Sequence, residues 1–94
     1  MLGIAAKAGS VASGEFSTEK AVKEGRAYLV IVAQDASDNT KKMFRNMTDF
    51  YQVPMYEYSD KEMLGHFIGK EFRASLEVTN EELSHSIEER LKQQ

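Results

Sequence analysis

The run AYLVIVA, Ala27 to Ala33, constrains the fold more than any other stretch of the sequence. It is rich in β-branched and aromatic residues and carries no charge. It is far too short to cross a membrane, which takes about 20 apolar residues. It does not alternate, so it does not describe a strand with one wet face. The run predicts a central strand buried on both faces, and such a strand needs a layer of structure above it and another below. A chain of 94 residues supports one hydrophobic core. The sequence therefore reads as a single domain, residues 1–94, of α/β class.

The flanking segments supply the layers. Met1 to Ala8 is helix-prone and is stopped by Gly9, and the SVAS that follows reads as a brief strand. From about Glu15 to Glu24, Thr18, Ala21, Val22 and Gly25 recur at helical spacing and mark a core face, with Gly25 suited to a left-handed cap. After the central strand, QDASDN is a loop ending in a cap at Ser37 or Asp38. The next helix runs to about Gln52, with an apolar stripe of Met43, Phe44, Met47, Phe50 and Tyr51. Pro54 prevents its continuation, and PMYEY reads as a short strand. Ser59 and Glu62 form a capping box ahead of Met63, Leu64, Phe67 and Ile68, and Gly69 ends that helix. In EFRASLEV, Phe72, Ala74, Leu76 and Val78 alternate with Glu71, Arg73, Ser75 and Glu77, which predicts a half-exposed strand. Thr79 and Glu82 form a second capping box, and Leu83, Ile87 and Leu91 give the last helix its core face. Helices thus alternate with strands and cover both faces of a small sheet of about four strands.

Charge and composition narrow the function. The net charge of −3 argues against a uniformly basic nucleic-acid binder. Residues 1–46 carry a net +2 and residues 47–94 a net −5, so a bound anion is expected in the first half. The chain has no cysteine, which excludes disulfides, zinc–cysteine sites and thiol chemistry. MLGIAAKAGS is too short and too weakly apolar for a signal peptide, and a cytoplasmic location is expected. His66 and His85 lack ligand-like spacing, so no metal or other cofactor is expected. His66 reads as a partly buried polar residue of its helix.

The helix opening at Gly14 is the first candidate site. Thr18, Ala21 and Val22 fall on one side, and Phe16, Glu19, Lys20 and Lys23 on the other, at about 100° per residue. An aromatic and two lysines therefore share the outer face near a helix end that carries unpaired N–H groups. Phosphates bind such ends, and aromatic or basic side chains stack on unpaired bases. The plainer reading makes Gly14 an N-cap, packs Phe16 on the first helix and leaves the lysines in solvent.

SGEFSTEKAVKEGRAYLVIVAQDASDNTKK resembles the signature region of the kink-turn RNA-binding ribosomal-protein superfamily, and in particular its small bacterial branch. Gly14, Thr18, Lys20, Gly25, LVIVA and QDAS follow that pattern in order. SDKEMLGHFIGKEFRASLEV is similar to the family's second conserved segment through Leu64, Gly65 and Gly69. The resemblance covers nearly the whole chain. It implies a three-layer α/β/α sandwich around a small mixed sheet, and a non-catalytic protein that binds sharply bent RNA with tandem G·A pairs. It also implies translation-linked, ribosomal or kink-turn-like RNA as the partner. In the family a polar pair after the glycine contacts the G·A edges; here those positions are Phe16 and Ser17.

The resulting RNA-binding candidates are Gly14, Glu15, Phe16, Ser17, Lys20 and Lys23 at the helix, flanked by two loops. In QDASDNTKK, Gln34, Asp35 and Asn39 are candidates for bases or sugars and Lys41 and Lys42 for phosphates, at a strand end where ligands of open sheets gather. The alternative makes Asp38 a cap and the lysines a solvated first turn. In GKEFR, Lys70 and Arg73 are candidates, in a loop whose family counterpart packs on an unstacked nucleotide, while alternation assigns Phe72 to the core.

A protein-interaction module anchored by Phe16 is the alternative function, with ribosomal, transcription or translation proteins as partners. An enzyme with its site between subunits is a third. No serine–histidine–aspartate order, phosphate loop or GxGxxG supports it, and a monomer is expected.

Overall fold

A computed structural model describes residues 10–93; the helix expected over Met1 to Ala8 lies outside them. The elements run β1 (Val11–Ser13), α1 (Glu15–Lys23), β2 (Leu29–Val32), α2 (Asp38–Tyr51), β3 (Met55–Glu57), α3 (Lys61–Phe67), β4 (Ser75–Val78) and α4 (Glu81–Lys92). The strands form one mixed sheet of order β1-β4-β2-β3. β4 pairs antiparallel with both β1 and β2, and β2 pairs parallel with β3.

Register decides what each face holds. Glu77 pairs with Ala12 and Val30, and Val30 with Met55, so all four point the same way. Leu76, Ile31 and Tyr56 point the other way. α1 and α2 cover the Glu77 face: Thr18 meets Ser75, and the Thr48 hydroxyl lies 3.7 Å from Met55 Sδ. Arg45 and Lys41 of α2 bridge Glu57 on the same face. α4 lies over the opposite face, where Tyr56 donates to Glu88 at 2.9 Å. Every residue of β2 is buried, as its uninterrupted apolar run predicts. Phe44, Leu64 and Ile87 contribute the largest fully or nearly fully buried helical side chains.

Several expectations are corrected. Phe50, expected in the core stripe of α2, is 78% exposed. It sits about 120° around the helix from Phe44, and Tyr51 closes on it edge to face at 4.9 Å. Thr48 takes the core position instead and satisfies its hydroxyl on the Phe44 carbonyl at 2.7 Å. The capping boxes are each displaced by one residue. Asp60, not Ser59, caps α3 through Met63, and Asn80, not Thr79, caps α4 through Leu83. Thr79 instead bonds the Ser10 carbonyl through both its N–H and its hydroxyl. β4 is not half-exposed: all four of its residues are buried. His66 is exposed rather than partly buried, and Gly25, expected on the core face of α1, is exposed at φ +73° just past the Glu24 cap.

The remaining helix ends follow sequence closely. Ser37 accepts from Thr40 N–H at 3.2 Å and opens α2. Gln52 closes it at φ +58°, a left-handed conformation that costs a side-chain-bearing residue about 1 kcal/mol. Gln52→Gly is therefore expected to raise stability by about 0.5–1 kcal/mol, seen in urea unfolding as a higher midpoint with unchanged slope.

Candidate nucleic-acid interface

Strand order places four strand ends together. The C-terminal ends of β1, β2 and β3 and the start of β4 share one end of the sheet, because Ser13 pairs with Leu76, Val32 with Ser75 and Glu57 with Val32. Hydrogen bonds stitch the emerging loops into a continuous surface. Arg73 Nε donates to Ser13 Oγ at 2.9 Å, and Arg73 N–H to the Lys61 carbonyl at 3.0 Å. Lys61 N–H donates to Asp35 Oδ1 at 2.9 Å, and Gln34 N–H to the Ser59 carbonyl at 2.8 Å. The helix start at Gly14, the 34–37 loop and the 69–73 loop, separate in sequence, are thus neighbours.

α1 begins at this end, and Gly14 opens it at φ +104°, where a Cβ is strained even though nothing would obstruct one. Ser37, Asp60 and Asn80 each cap their helices by side chain; Gly14 leaves the first-turn N–H groups of α1 without such a cap. Phe16 projects outward, 79% exposed. It lines a shallow groove of about 390 Å³ with Glu19, Lys20, Lys23 and Glu24. The predicted outer face is therefore correct. Lys23 bonds Glu19 at 2.7 Å, and that hydrogen bond and charge raise the lysine's pKa. Lys20 is exposed, and no salt bridge among the described residues engages it.

Ser17 turns inward. Its hydroxyl donates to Glu77 Oε1 at 2.8 Å, while Thr18 Oγ1 lies 3.2 Å from Ser75 Oγ. Glu77 is 1% exposed, and its Oε2 has no partner among the described residues. Burial pushes its pKa up, opposed by the Ser17 hydrogen bond and, more distantly, by Arg26. Periodicity assigned Glu77 to solvent, and nothing in the local pattern marks a carboxylate that faces a helix rather than water.

The flanking candidates divide. Lys42 and Asn39 are exposed in the first turn of α2, but Lys41 is bound to Glu57 at 3.4 Å. Asp35 caps Lys61 N–H rather than standing free. Lys70 is exposed, and Arg73 is held by Ser13 and by the Phe72 carbonyl at 2.7 Å. Phe72, expected in the core, is 62% exposed, because β4 begins only at Ser75 and the preceding residues are loop. Gly65 holds that loop down: a Cβ there would lie 1.8 Å from the Glu71 carbonyl oxygen. Among the described residues no group of three or more histidine or acidic side chains is placed to hold a metal. No helix among them is long and apolar enough to cross a membrane.

The family profile described as ribosomal protein L7Ae/L30e/S12e/Gadd45 matches residues 1–88. The chain belongs to this family. It is 36% identical over 87 residues to the RNA-binding protein YlxQ of Bacillus subtilis (strain 168), covering 93% of this chain and 87% of that protein. It is 35% identical over 71 residues to large ribosomal subunit protein eL30 of Methanosphaerula palustris, covering 76% and 72%. Among solved structures, a Bacillus halodurans protein of unknown function superposes with TM-score 0.94 at 34% identity, over 97% of this chain and 92% of that one. The Giardia lamblia 15.5kD RNA binding protein shares the fold, with TM-score 0.80 at 19% identity over 96% and 77%. The likeness to the small bacterial branch and the α/β sandwich, both expected from sequence, stand.

Two outcomes test this geometry. Gly65→Ala is expected to displace the 69–73 loop and cost about 1–3 kcal/mol, with amide shifts concentrated at Glu71 to Arg73 in NMR spectra. For Glu77 the folded pKa lies above its ordinary value of 4.5. The folded state thus binds the proton more tightly than the unfolded state, and this contribution to stability is lost as pH rises above about 4.5 through the folded pKa. Wild type should lose stability relative to Glu77→Gln across that window, and urea unfolding at stepped pH measures it.

Proposed function

We propose that the loop end of the sheet binds structured RNA without catalysing a reaction, and that the target is bent or looped, as in a kink-turn or a ribosomal RNA element. One observation carries the reading. The uncapped start of α1, with Lys20 one turn along, is hydrogen-bonded through Ser13 to the Arg73 loop. Backbone donors and a lysine from the positively charged half thus meet an arginine contributed by the acidic half at one surface. Membership in a family whose relatives are named as RNA-binding or ribosomal proteins supports it.

Within this reading Lys20 reaches a phosphate or a guanine acceptor. Arg73 retains guanidinium N–H groups beyond those given to Ser13 and Phe72 and presents them to a second phosphate. Gln34, Asn39, Lys42 and Lys70 flank the track from exposed positions. Lys23 and Lys41 are the weaker contributors, since each must first leave a carboxylate. With a net charge of −3, non-specific attraction is small, so shape must supply more of the affinity. The proposal includes a cytoplasmic, ribosome-associated role, which the ribosomal and RNA-binding names of the relatives support.

A salt-stepped titration of a kink-turn RNA against a straight duplex of equal length tests the proposal. Preference for the bent RNA is expected. Lys20→Ala and Arg73→Ala should each weaken binding and lower the slope of log K against log salt by about 0.7–0.9. Equal affinity for both RNAs, or slopes that neither substitution changes, would refute it.

A further inference from the structure

Resting on that RNA-binding reading, we propose that the first turn of α1 recognises an unpaired nucleobase by stacking on Phe16, and that Glu77 enforces this mode by holding the Ser17 hydroxyl in the core. The first turn offers three side chains to a ligand: Glu15, Phe16 and Ser17. Glu15 is an anion and is repelled by a phosphate backbone. Among the described residues, Ser17 is the only hydrogen-bond partner of a carboxylate that is 1% exposed and already has one bare oxygen. Withdrawing that hydroxyl toward a base would strip a buried carboxyl of this hydrogen bond, a steep penalty. Phe16 is what remains, and it cannot read a base edge.

Its ring is suited to stacking. It is 79% exposed, and Lys20 lies one helical turn away in the same groove. A nucleotide presents a π-face and a phosphate together, and a ring beside a free cation matches both. An apolar protein anchor would need only the ring. A second exposed ring, Phe72 at 62%, stands on the neighbouring loop, where Arg73 bonds its backbone carbonyl. A ring and a cation lining one groove, beside a second exposed ring on the next loop, are the observation that favours nucleic acid over a protein partner. Glu77 acts here as a positioning residue: it touches no ligand, but it removes the polar side chain that would otherwise compete with stacking.

The test uses two hairpin RNAs, one with a single bulged 2-aminopurine and one fully paired, titrated by anisotropy and by 2-aminopurine fluorescence. Wild type should prefer the bulged hairpin and change its fluorescence on binding. Phe16→Ala should lose about tenfold in affinity for it and abolish the fluorescence change, while Phe16→Trp retains both. Because Ser17→Ala alone strands Glu77 and risks unfolding, the Ser17→Ala/Glu77→Met double variant replaces both partners, and it should bind within about twofold of wild type. Stacking is overturned if Phe16→Ala binds normally while Lys20→Ala does not, a result that leaves RNA binding intact. The role given to Glu77 is overturned if the folded double variant loses affinity, which would mean that Ser17 contacts the base. Failure of wild type to bind either hairpin or a kink-turn RNA at low salt would instead remove the underlying RNA reading.

Discussion

The antiparallel pairing of β2 with β4 governs the rest of the molecule. Both strands are four residues long and wholly buried, so neither has a free face on which to shift. Their register, with Val32 opposite Ser75, carries the loop that leaves β2 to the loop that enters β4. The same register aims Ser75 and Glu77 at α1 and Leu76 and Val78 away from it. A one-residue slip would drive the carboxylate into the other layer and break the bonds to Ser17 and Thr18 together. Fold and candidate surface therefore share one geometric cause.

The interface between α1 and the sheet combines apolar packing with a polar seam. Ala21 and Val22 supply the apolar part, while Ser17 and Thr18 meet Glu77 and Ser75 nearer the helix start. Apolar contacts tolerate small slides because they lack direction. Hydrogen bonds do not, and a buried ion whose partner moves is left exposed to a large desolvation cost. The seam thus fixes the rotation of the helix about its axis, and with it the direction in which Phe16 points.

Much of this was legible in the sequence, and each failure has a physical cause. The uninterrupted run at Leu29–Val32, the outer face of Phe16 and Lys20, and the left-handed turn at Gly25 were all readable from residue type and spacing. Periodicity records polarity, though, and not what a polar residue faces. It therefore assigned Glu77 and Ser75 to water, when they face a helix with hydroxyls of its own. It placed Phe72 in the core because alternation continued past the true start of the strand. It set Phe50 in a stripe that the helix phase does not support. The stitching of Arg73 to Ser13 and of Asp35 to Lys61 spans distances in sequence over which no local pattern operates.

Both edges of the sheet are strands of only three residues, β1 and β3. An edge strand is a template on which another chain can add, and its hazard grows with its length and flatness. Here each margin offers too few free backbone groups to seat a foreign strand. A protein that displays bare aromatic rings on its surface therefore pairs them with margins that resist fibrous association, and sticky side chains and sticky backbone are kept from acting together.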